Sequence, residues 1–500
     1  MKTKKKNGFL CALSVFAVAV ATTGLAACQI GLSTGGSSTS AENGSSISKT
    51  DNPSGLEFTL CADEDGYAVT GIGTSSALVL EIPDEYDGLP VTAIGEGAFE
   101  NEYGLCEVII PESVERIGKR AFAGCSNLEG INLGDGVVEI FSEAFSRCNM
   151  LTEVVFGNAV EYIGDEAFFE CGRLQSVEFN AALEEIGTKA FYNCAVLSEI
   201  EFNVGLTYIG EAAFENCKKL KEIVIPNGAV CEIGKHAFYY CESVSTIYIG
   251  HGVRAIGEEA FDYCRSAYKI FIGDGVTTIG VKAFQTCRKA VMLTLGKNVS
   301  SIATGAFACC YVLVDVYNRS SLVLDKSKNN GWVGYYALNV YNEPNGSKVR
   351  IDENGYILYT DATSVKLMGN TTMTNFELVA PDGVTEVHRL SFYNNMNVVS
   401  VKLPASCKKV GAQAFHFAYK LRSVDLGGVE TVEKNAFADN TVLRSVSTGN
   451  SLKTVGENAF EKCKKLNRIT FKGTLLQWNE ISVAAGNDFW TNADVEYVSE

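Results

Sequence analysis

Histidine and proline are scarce in this chain of 500 residues, which holds 4 histidines and 8 prolines against 48 glycines. The histidines are scattered over variable positions, a pattern that predicts solvated surface imidazoles rather than a catalytic or metal-binding set; they are His236, His251, His388 and His416. The sequence also lacks a P-loop, a nucleophile elbow and an HExxH zinc motif. We therefore predict that the chain is not an enzyme and has no catalytic residues, no metal site and no cofactor.

Positive charge is also in deficit. The 42 lysines and arginines face 59 acidic residues, which gives a formal net charge of −17 and an isoelectric point near 4.9. An acidic surface repels phosphate backbones and anionic lipid headgroups, so we expect neither nucleic-acid binding nor direct electrostatic binding to membranes. Hydrophobic residues make up 46% of the chain, which is ample for a buried core.

The apolar run near the N-terminus, Phe9 to Ala21, is too short for a comfortable membrane span. It follows a cluster of four lysines and precedes Leu25-Ala26-Ala27-Cys28, which resembles a bacterial lipobox. The resemblance implies that residues 1–27 are a lipoprotein signal peptide and that Cys28 is acylated. The chain would then be exported and lipid-anchored on the outer face of the bacterial cell membrane. The alternative is an ordinary signal peptide with an alanine-rich cleavage site.

An Ala-Phe pair recurs along the sequence with a spacing of 23 residues and a single step of 24. Self-similarity at a fixed period of this length predicts a solenoid of stacked coils. The first block of repeats carries Phe99, Phe122, Phe145, Phe168, Phe191, Phe214, Phe238, Phe261, Phe284 and Phe307, and the second carries Phe392, Phe415, Phe437 and Phe460.

One repeat can be interpreted residue by residue. Leu128-x-x-Ile131-x-Leu133 places alternate apolar side chains inward, as in a short strand, and Gly134-Asp135-Gly136 then turns the chain. Gly118 and its equivalents suit a corner that needs either a positive φ or a close approach of backbones. The pair Ala121-Phe122 fills the interior. No single coil can bury this apolar edge alone, so we expect neighbouring coils to bury it together.

The pattern LxxIxIPxxVxxIGxxAFxxC, which runs from about Leu80 to Phe471, resembles the BspA-like leucine-rich repeats of bacterial and protist surface proteins. The resemblance implies a leucine-rich repeat solenoid: a curved, right-handed stack of coils with a parallel β-sheet on its concave face. It also implies adhesion to, or binding of, proteins on host or neighbouring cells. The motif carries no catalytic residue.

The sequence then divides into seven segments. After the signal peptide, residues 28–55 are rich in Ser, Gly and Thr and read as a flexible tether. An N-terminal cap (56–92), regular repeats (93–317), a Tyr-rich insertion (318–383), a second repeat block (384–473) and a C-terminal cap (474–500) follow. We expect the insertion to form distorted coils or β-hairpins that pack in line with the repeats, and no separate catalytic domain.

Ten of the 17 cysteines lie three residues after a repeat phenylalanine, namely Cys125, Cys148, Cys171, Cys194, Cys217, Cys241, Cys264, Cys287, Cys310 and Cys463. Zinc needs about four converging ligands, whereas each coil supplies one cysteine. We therefore predict a ladder of buried free thiols, with disulfides and metal binding as the alternatives. Ala418 and Asn440 at the same position fit a packing or backbone-bonding role. The cysteines off the ladder, Cys61, Cys106, Cys231, Cys309 and Cys407, could pair opportunistically.

Strand alternation also predicts which residues face outward on the concave sheet. An acidic strip of Glu153, Ser176, Glu178, Glu199, Glu201 and Glu222 passes into Tyr248, Lys269, Phe271, Met292 and Tyr317. Aromatic anchors in one column are typical of protein-binding hot spots, although these rings could instead pack on each other. The predicted function is adhesion or binding of a protein, with a glycan as the second choice of partner. The alternative is a passive structural or spacer module without a specific ligand.

Overall fold

The computed structural model describes residues 55–62, 65–343, 348–372 and 374–498. Over these residues the chain forms a leucine-rich repeat solenoid of parallel β-coils, which confirms the predicted fold class. The signal peptide, Cys28 and all but the last residue of the tether lie outside the described residues, so those interpretations stay predictions. No helix among the described residues is long and apolar enough to cross a membrane.

The first strand of each coil forms at the Leu-x-x-Ile-x-Ile segment and pairs in parallel with its neighbours; these strands make up the long-strand sheet. Side chains alternate as predicted: Val154 is buried while Glu153 and Val155 are exposed. Strand pairing is interrupted before Ser176 and again before Glu222. The strands of the first block are Val79–Glu81, Glu107–Ile109, Gly130–Asn132, Glu153–Val155, Ser176–Glu178, Glu199–Glu201, Glu222–Ile225, Thr246–Ile249, Lys269–Ile272, Met292–Leu295, Asp315–Asn318 and Asn339–Tyr341.

A second parallel sheet, which the sequence did not predict, runs along the same coils. Its two-residue strands end at the isoleucine before the corner. The N-terminal cap extends the sheet with Tyr67–Gly71, which pairs in parallel with Leu89–Ile94, and adds two antiparallel pairings, of Glu57–Leu60 and of Glu85–Tyr86. The strands are Glu57–Leu60, Tyr67–Gly71, Glu85–Tyr86, Leu89–Ile94, Arg116–Ile117, Glu139–Ile140, Tyr162–Ile163, Glu185–Ile186, Tyr208–Ile209, Glu232–Ile233, Ala255–Ile256, Thr278–Ile279 and Ser301–Ile302. Each regular coil is thus hydrogen-bonded to its neighbours along two sheets, except before Ser176 and Glu222, where only the short strands pair.

The repeat phenylalanines form a continuous stack inside each block. In the middle of the array, the Phe191 ring lies 5.1 Å from the Phe168 ring and 5.1 Å from the Phe214 ring, nearly parallel to both. This spacing is close to the distance between paired strands, so one ring per coil stacks in register. Except for Phe307 and Phe460 at the block ends, the backbone N–H of each repeat phenylalanine also donates to the alanine carbonyl of the next coil, as from Phe191 to Ala213 at 2.7 Å. The corner is therefore held by both ring stacking and hydrogen bonds.

The corner glycines are required for close backbone approach and not for a positive φ. A Cβ on Gly210 would lie 2.5 Å from the carbonyl carbon of Gly187 on the preceding coil. The left-handed residues of the Gly210 coil lie on either side of Phe214, at Ala212 (φ 54°) and Asn216 (φ 63°). The corner glycine is therefore needed because a side chain would collide with the backbone of the preceding coil.

The insertion consists of two parts that join different blocks. Asn339–Tyr341 pairs in parallel with Asp315–Asn318 and so adds a coil to the first block, after a 3₁₀ turn Asn330–Trp332 and a short helix Val333–Tyr336. Val349–Ile351, Tyr356–Thr360 and Val365–Asn370 form an antiparallel meander, whose last strand pairs with the second block. Over the described residues no strand pairing links the two blocks. We expected the insertion to pack in line with the repeats. The two blocks instead form two separate stacks of coils, and side-chain contacts join these stacks.

The second block repeats the two-sheet arrangement. Its short strands are Glu386–Val387, Lys409–Val410, Thr431–Val432, Thr454–Val455 and Ser482–Val483, and its long strands are Phe376–Val379, Val398–Lys402, Ser423–Asp425, Ser445–Gly449, Arg468–Lys472 and Asp494–Val498. Helices Leu475–Asn479 and Asp488–Thr491 close the end of the stack. There the Asn487 side-chain oxygen accepts from the Phe460 N–H at 3.0 Å. It replaces the alanine carbonyl that a further coil would have supplied.

Candidate functional site

The cysteine ladder is part of the core. All ten ladder cysteines are fully buried and free, and the thiol of each donates to the carbonyl of a phenylalanine on the preceding coil, as from Cys171 to Phe145 at 3.2 Å. Burial raises the pKa of the Cys171 thiol to about 12. A thiol that stays protonated is a poor nucleophile and a poor metal ligand. The ten cysteines therefore form the buried ladder of free thiols that the sequence predicts.

Asn440 shows what the cysteine position requires. Its side-chain amide donates to the Phe415 carbonyl of the preceding coil, as the thiols do elsewhere, and also to the Phe437 carbonyl of its own coil, each at 2.9 Å. Ala418 occupies the position without any donor. The position therefore favours a small side chain that can donate to the backbone, which agrees with a role in packing.

The off-ladder cysteines form no disulfide with one another in the described part of the chain. Cys231 and Cys407 are buried, whereas Cys61, Cys106 and Cys309 are partly exposed. No group of three or more His, Cys, Asp or Glu side chains within the described residues is arranged to hold a metal ion.

The histidines are not the uniformly solvated group that was expected. His388 is 8% exposed, and burial lowers its pKa to about 3. His416 is also buried, and its Nε2 lies 3.0 Å from Asp439 Oδ2. The expectation was wrong for these two because they lie outside the strands, where strand alternation does not predict burial. The other two, His236 and His251, are more exposed and face Glu259 and Asp274 respectively.

The acidic half of the predicted face is exposed as expected from the strand alternation. Glu178 and Glu201 lie opposite each other on paired strands, and Glu199 lies opposite Ser176. A cleft of about 340 Å³ opens between the strands of Glu153 and Glu178, where the strand pairing is interrupted. Five glutamates, Glu153, Glu178, Glu199, Glu201 and Glu222, thus lie on one surface, although strand pairing does not connect all of them.

One of these glutamates is neutralised by a lysine on the next coil. Lys221 Nζ lies 2.6 Å from Glu199 Oε1, and this hydrogen bond lowers the pKa of the Glu199 carboxyl. The pair is exposed, so its contribution to stability is small. It does reduce the negative charge of the strip at that point.

The aromatic half of the face forms two stacked pairs. Tyr248 and Phe271 lie on paired strands with their ring centroids 4.6 Å apart and nearly parallel, and Tyr248 Oη donates to Asn227 Oδ1 at 3.0 Å. Thr294 occupies the next place in the column. Tyr317 then stacks on Tyr341 at 5.7 Å. All four rings are partly buried.

The outward position of Tyr341 was not predicted, because this residue lies in the Tyr-rich insertion, where the repeat pattern lapses. A signal was present: Val316-Tyr317-Asn318 is repeated as Val340-Tyr341-Asn342. The repeated tripeptide marks the same position on consecutive coils, as the strand register shows. We call Tyr248, Phe271, Tyr317 and Tyr341 the aromatic column.

Comparison with known sequences gives one family. Residues 81–198, 184–314 and 367–483 match the model for the BspA type leucine rich repeat region, in six copies, and together these segments cover more than half of the chain. No protein of curated function matches the sequence.

Several solved structures are similar to this chain. A leucine-rich repeat protein from Bacteroides ovatus is 22% identical with a TM-score of 0.45, and the match covers 89% of this chain and 98% of that one. A leucine rich cell surface protein from Faecalibacterium prausnitzii is also 22% identical, with a TM-score of 0.32 and coverage of 89% and 99%. The leucine rich repeat protein of T. pallidum is 26% identical with a TM-score of 0.31, covering 48% of this chain and 90% of that one.

Proposed function

Because the chain belongs to the BspA-type leucine-rich repeat family, we propose that it is a cell-surface protein that binds a protein partner through the outward face of its long-strand sheet. Repeat solenoids of this kind present extended binding surfaces, and they do so without a catalytic centre. A glycan is the second choice of partner. We propose no catalytic activity for the chain. Turnover of any peptide or glycan in a substrate panel by the purified chain would contradict this.

The observation that carries the proposal is the aromatic column. Tyr248 and Phe271 stack on each other and are only partly buried, so each ring restricts the other before any partner arrives. Side chains that are already ordered lose less conformational entropy on binding. Aromatic residues at the centre of a patch are also the commonest anchors of protein interfaces. The glutamates beside them would favour a partner with a basic surface.

The experiment replaces Tyr248 and Phe271 together by alanine. We expect the affinity for a partner isolated from cell-surface and matrix proteins to fall at least roughly tenfold, because the largest apolar anchor of the face is removed. Surface plasmon resonance with the immobilised chain measures this change.

The matched control replaces two exposed aromatic residues outside the long-strand sheet, Tyr103 (59% exposed) and Phe141 (38% exposed). The control variant should bind with unchanged affinity. Undiminished binding by a folded Tyr248→Ala/Phe271→Ala variant would exclude the aromatic column as the contact. Failure to find any saturable partner would favour the passive spacer.

We also propose that Cys28 carries the lipid anchor that holds the chain at the outer face of the bacterial membrane. The support is the sequence Leu25-Ala26-Ala27-Cys28 after an apolar run. Several acyl chains hold a protein stably at a membrane, whereas a single acyl chain gives only reversible membrane binding. A Cys28→Ala variant should therefore appear in the culture medium instead of the membrane fraction. A variant that stays membrane-bound after an alkaline carbonate wash would rule out this anchor.

A further inference from the structure

A cavity of about 280 Å³ lies at the junction of the two blocks. The first block contributes the residues that follow its ladder cysteines, among them Arg265, Arg288 and Lys289. The second block contributes Tyr393 and a run of asparagines, residues Asn394, Asn395 and Asn397. The junction is where strand pairing between coils is interrupted, so the cavity is a gap between two stacks.

Three cations in one cavity are unusual for a chain with a net charge of −17. Arg265 is the one with an acidic neighbour in the cavity wall: its Nη1 lies 3.6 Å from Glu242 Oε1. Within the described part of the chain, Arg288 forms no ion pair. Its Nη1 donates to the Asn394 backbone carbonyl at 3.3 Å, and its Nη1 and Nη2 both donate to the Asn394 side-chain oxygen at 3.1 Å, which leaves the charge of the guanidinium uncompensated. The cavity therefore holds an excess of positive charge.

Both arginines also hold an unused donor. The Nε–H of Arg265 and the Nε–H of Arg288 are buried and have no hydrogen-bond acceptor among the described residues. A buried donor without a partner costs about 1–3 kcal/mol. A carboxylate is the group best matched to a guanidinium, since its two oxygens accept two parallel N–H bonds.

Lys289 adds to the positive potential from the same side. Its Nζ donates to the Thr371 carbonyl at 2.6 Å and is close to the Thr372 carbonyl at 3.4 Å. These contacts tie the lysine to the strand that leads into the second block. Its side chain is thereby held at the cavity wall.

We propose that this junction cavity binds a small carboxylate-bearing ligand of the sugar-acid class. Its volume lies at the lower end of the range for small-molecule sites, which suits a single sugar ring and excludes a folded partner. The arginines would hold the carboxylate, while the side-chain nitrogens of Asn394 and Asn395 could donate to hydroxyl groups, since the oxygens of both amides already accept hydrogen bonds within the protein. The rings of Tyr311 and Tyr393, with centroids 4.6 Å apart, form an apolar wall for the face of the sugar. This site is separate from the aromatic column, so it does not rest on the function proposed above.

The test titrates the full chain with methyl glucuronide and, as the matched uncharged probe, methyl glucoside, followed by ligand-detected NMR and calorimetry. We expect saturable binding of the glucuronide and at least roughly tenfold weaker binding of the glucoside. Arg288→Gln should weaken glucuronide binding at least roughly tenfold, because one of the two guanidinium groups is lost. Arg254→Gln removes an exposed arginine outside the cavity wall and should leave the affinity unchanged.

A second variant covers the case in which Arg288→Gln disturbs folding. Glu242→Gln removes the carboxylate that competes for Arg265, so the glucuronide should bind more tightly, a gain that misfolding cannot produce. Equal affinity for the two sugars would overturn the role of the arginines. Acetate or sulfate binding as tightly as the glucuronide would overturn the sugar class. The absence of saturable glucuronide binding up to about 10 mM would overturn the site itself.

Discussion

Replacing Phe191 with alanine should lower the free energy of unfolding by about 3–5 kcal/mol, the usual cost of deleting a fully buried aromatic ring. The ring is 0% exposed and stacks on both Phe168 and Phe214. Phe179 lies against its edge at 5.8 Å. Because both neighbouring rings are fixed by their own coils, they cannot move together to fill the space. Urea unfolding followed by circular dichroism measures the change.

Cys194→Ala is the matched control in the same coil. The thiol donates to the Phe168 carbonyl at 3.3 Å, but that carbonyl also accepts from the Cys171 N–H, so it keeps a partner when the thiol is removed. The substitution should therefore cost about 1–2 kcal/mol. A Cys194→Ala variant as unstable as Phe191→Ala would show that the thiols do more than pack. Unfolding on addition of a reductant would likewise contradict free thiols.

Replacing Trp490 with alanine should destabilise the C-terminal end of the solenoid by about 3–5 kcal/mol. Trp490 is fully buried and covers the last ring of the stack, with its centroid 4.6 Å from that of Phe460; Trp478 packs against its other side at 5.6 Å. In a solenoid each coil contacts only its neighbours, so the loss should be local. Hydrogen exchange should rise in residues 431–483 and stay unchanged in residues 93–317.

Trp490→Phe provides the control. The indole Nε1 is buried without a hydrogen-bond partner among the described residues, so a phenyl ring at this position removes an unsatisfied donor and keeps the stacking. The stability should change by less than about 1.5 kcal/mol. Increased exchange throughout both blocks of Trp490→Ala would mean that the solenoid unfolds as one unit, contrary to the expectation.

The period of the sequence was enough to predict the coils and their interior. Ala190 and Phe191 have equivalents in every unit of residues 93–317, and Cys194 has one in every unit except that of Phe99, so one interpretation served for the whole array and the structure agrees with it. The second sheet was not predicted because a strand of two residues, such as Glu185–Ile186, is too short to show a period of its own. Its pairing depends on neighbouring coils and appears only when they stack.

The candidate sites were less predictable for the same reason. Outward positions such as Glu178 and Tyr248 follow from strand alternation within one coil. Tyr341 and the junction cavity depend on how the insertion returns to the stack, and this is decided by contacts between residues far apart in the sequence, as between Arg288 and Asn394. Apart from the repeated Val-Tyr-Asn tripeptide that marks Tyr341, the sequence has no periodic signal where the repeat lapses.

The thiol ladder has a consequence for the order of events in folding. In an unfolded chain each cysteine has an ordinary pKa and is open to oxidation, whereas in the stacked coil burial keeps it protonated. Stacking one coil on the last requires contacts only about one repeat apart, which favours rapid growth of the array. Protection from random cross-linking is therefore acquired coil by coil as the array grows. Burial in the stacked coils therefore protects these thiols by itself.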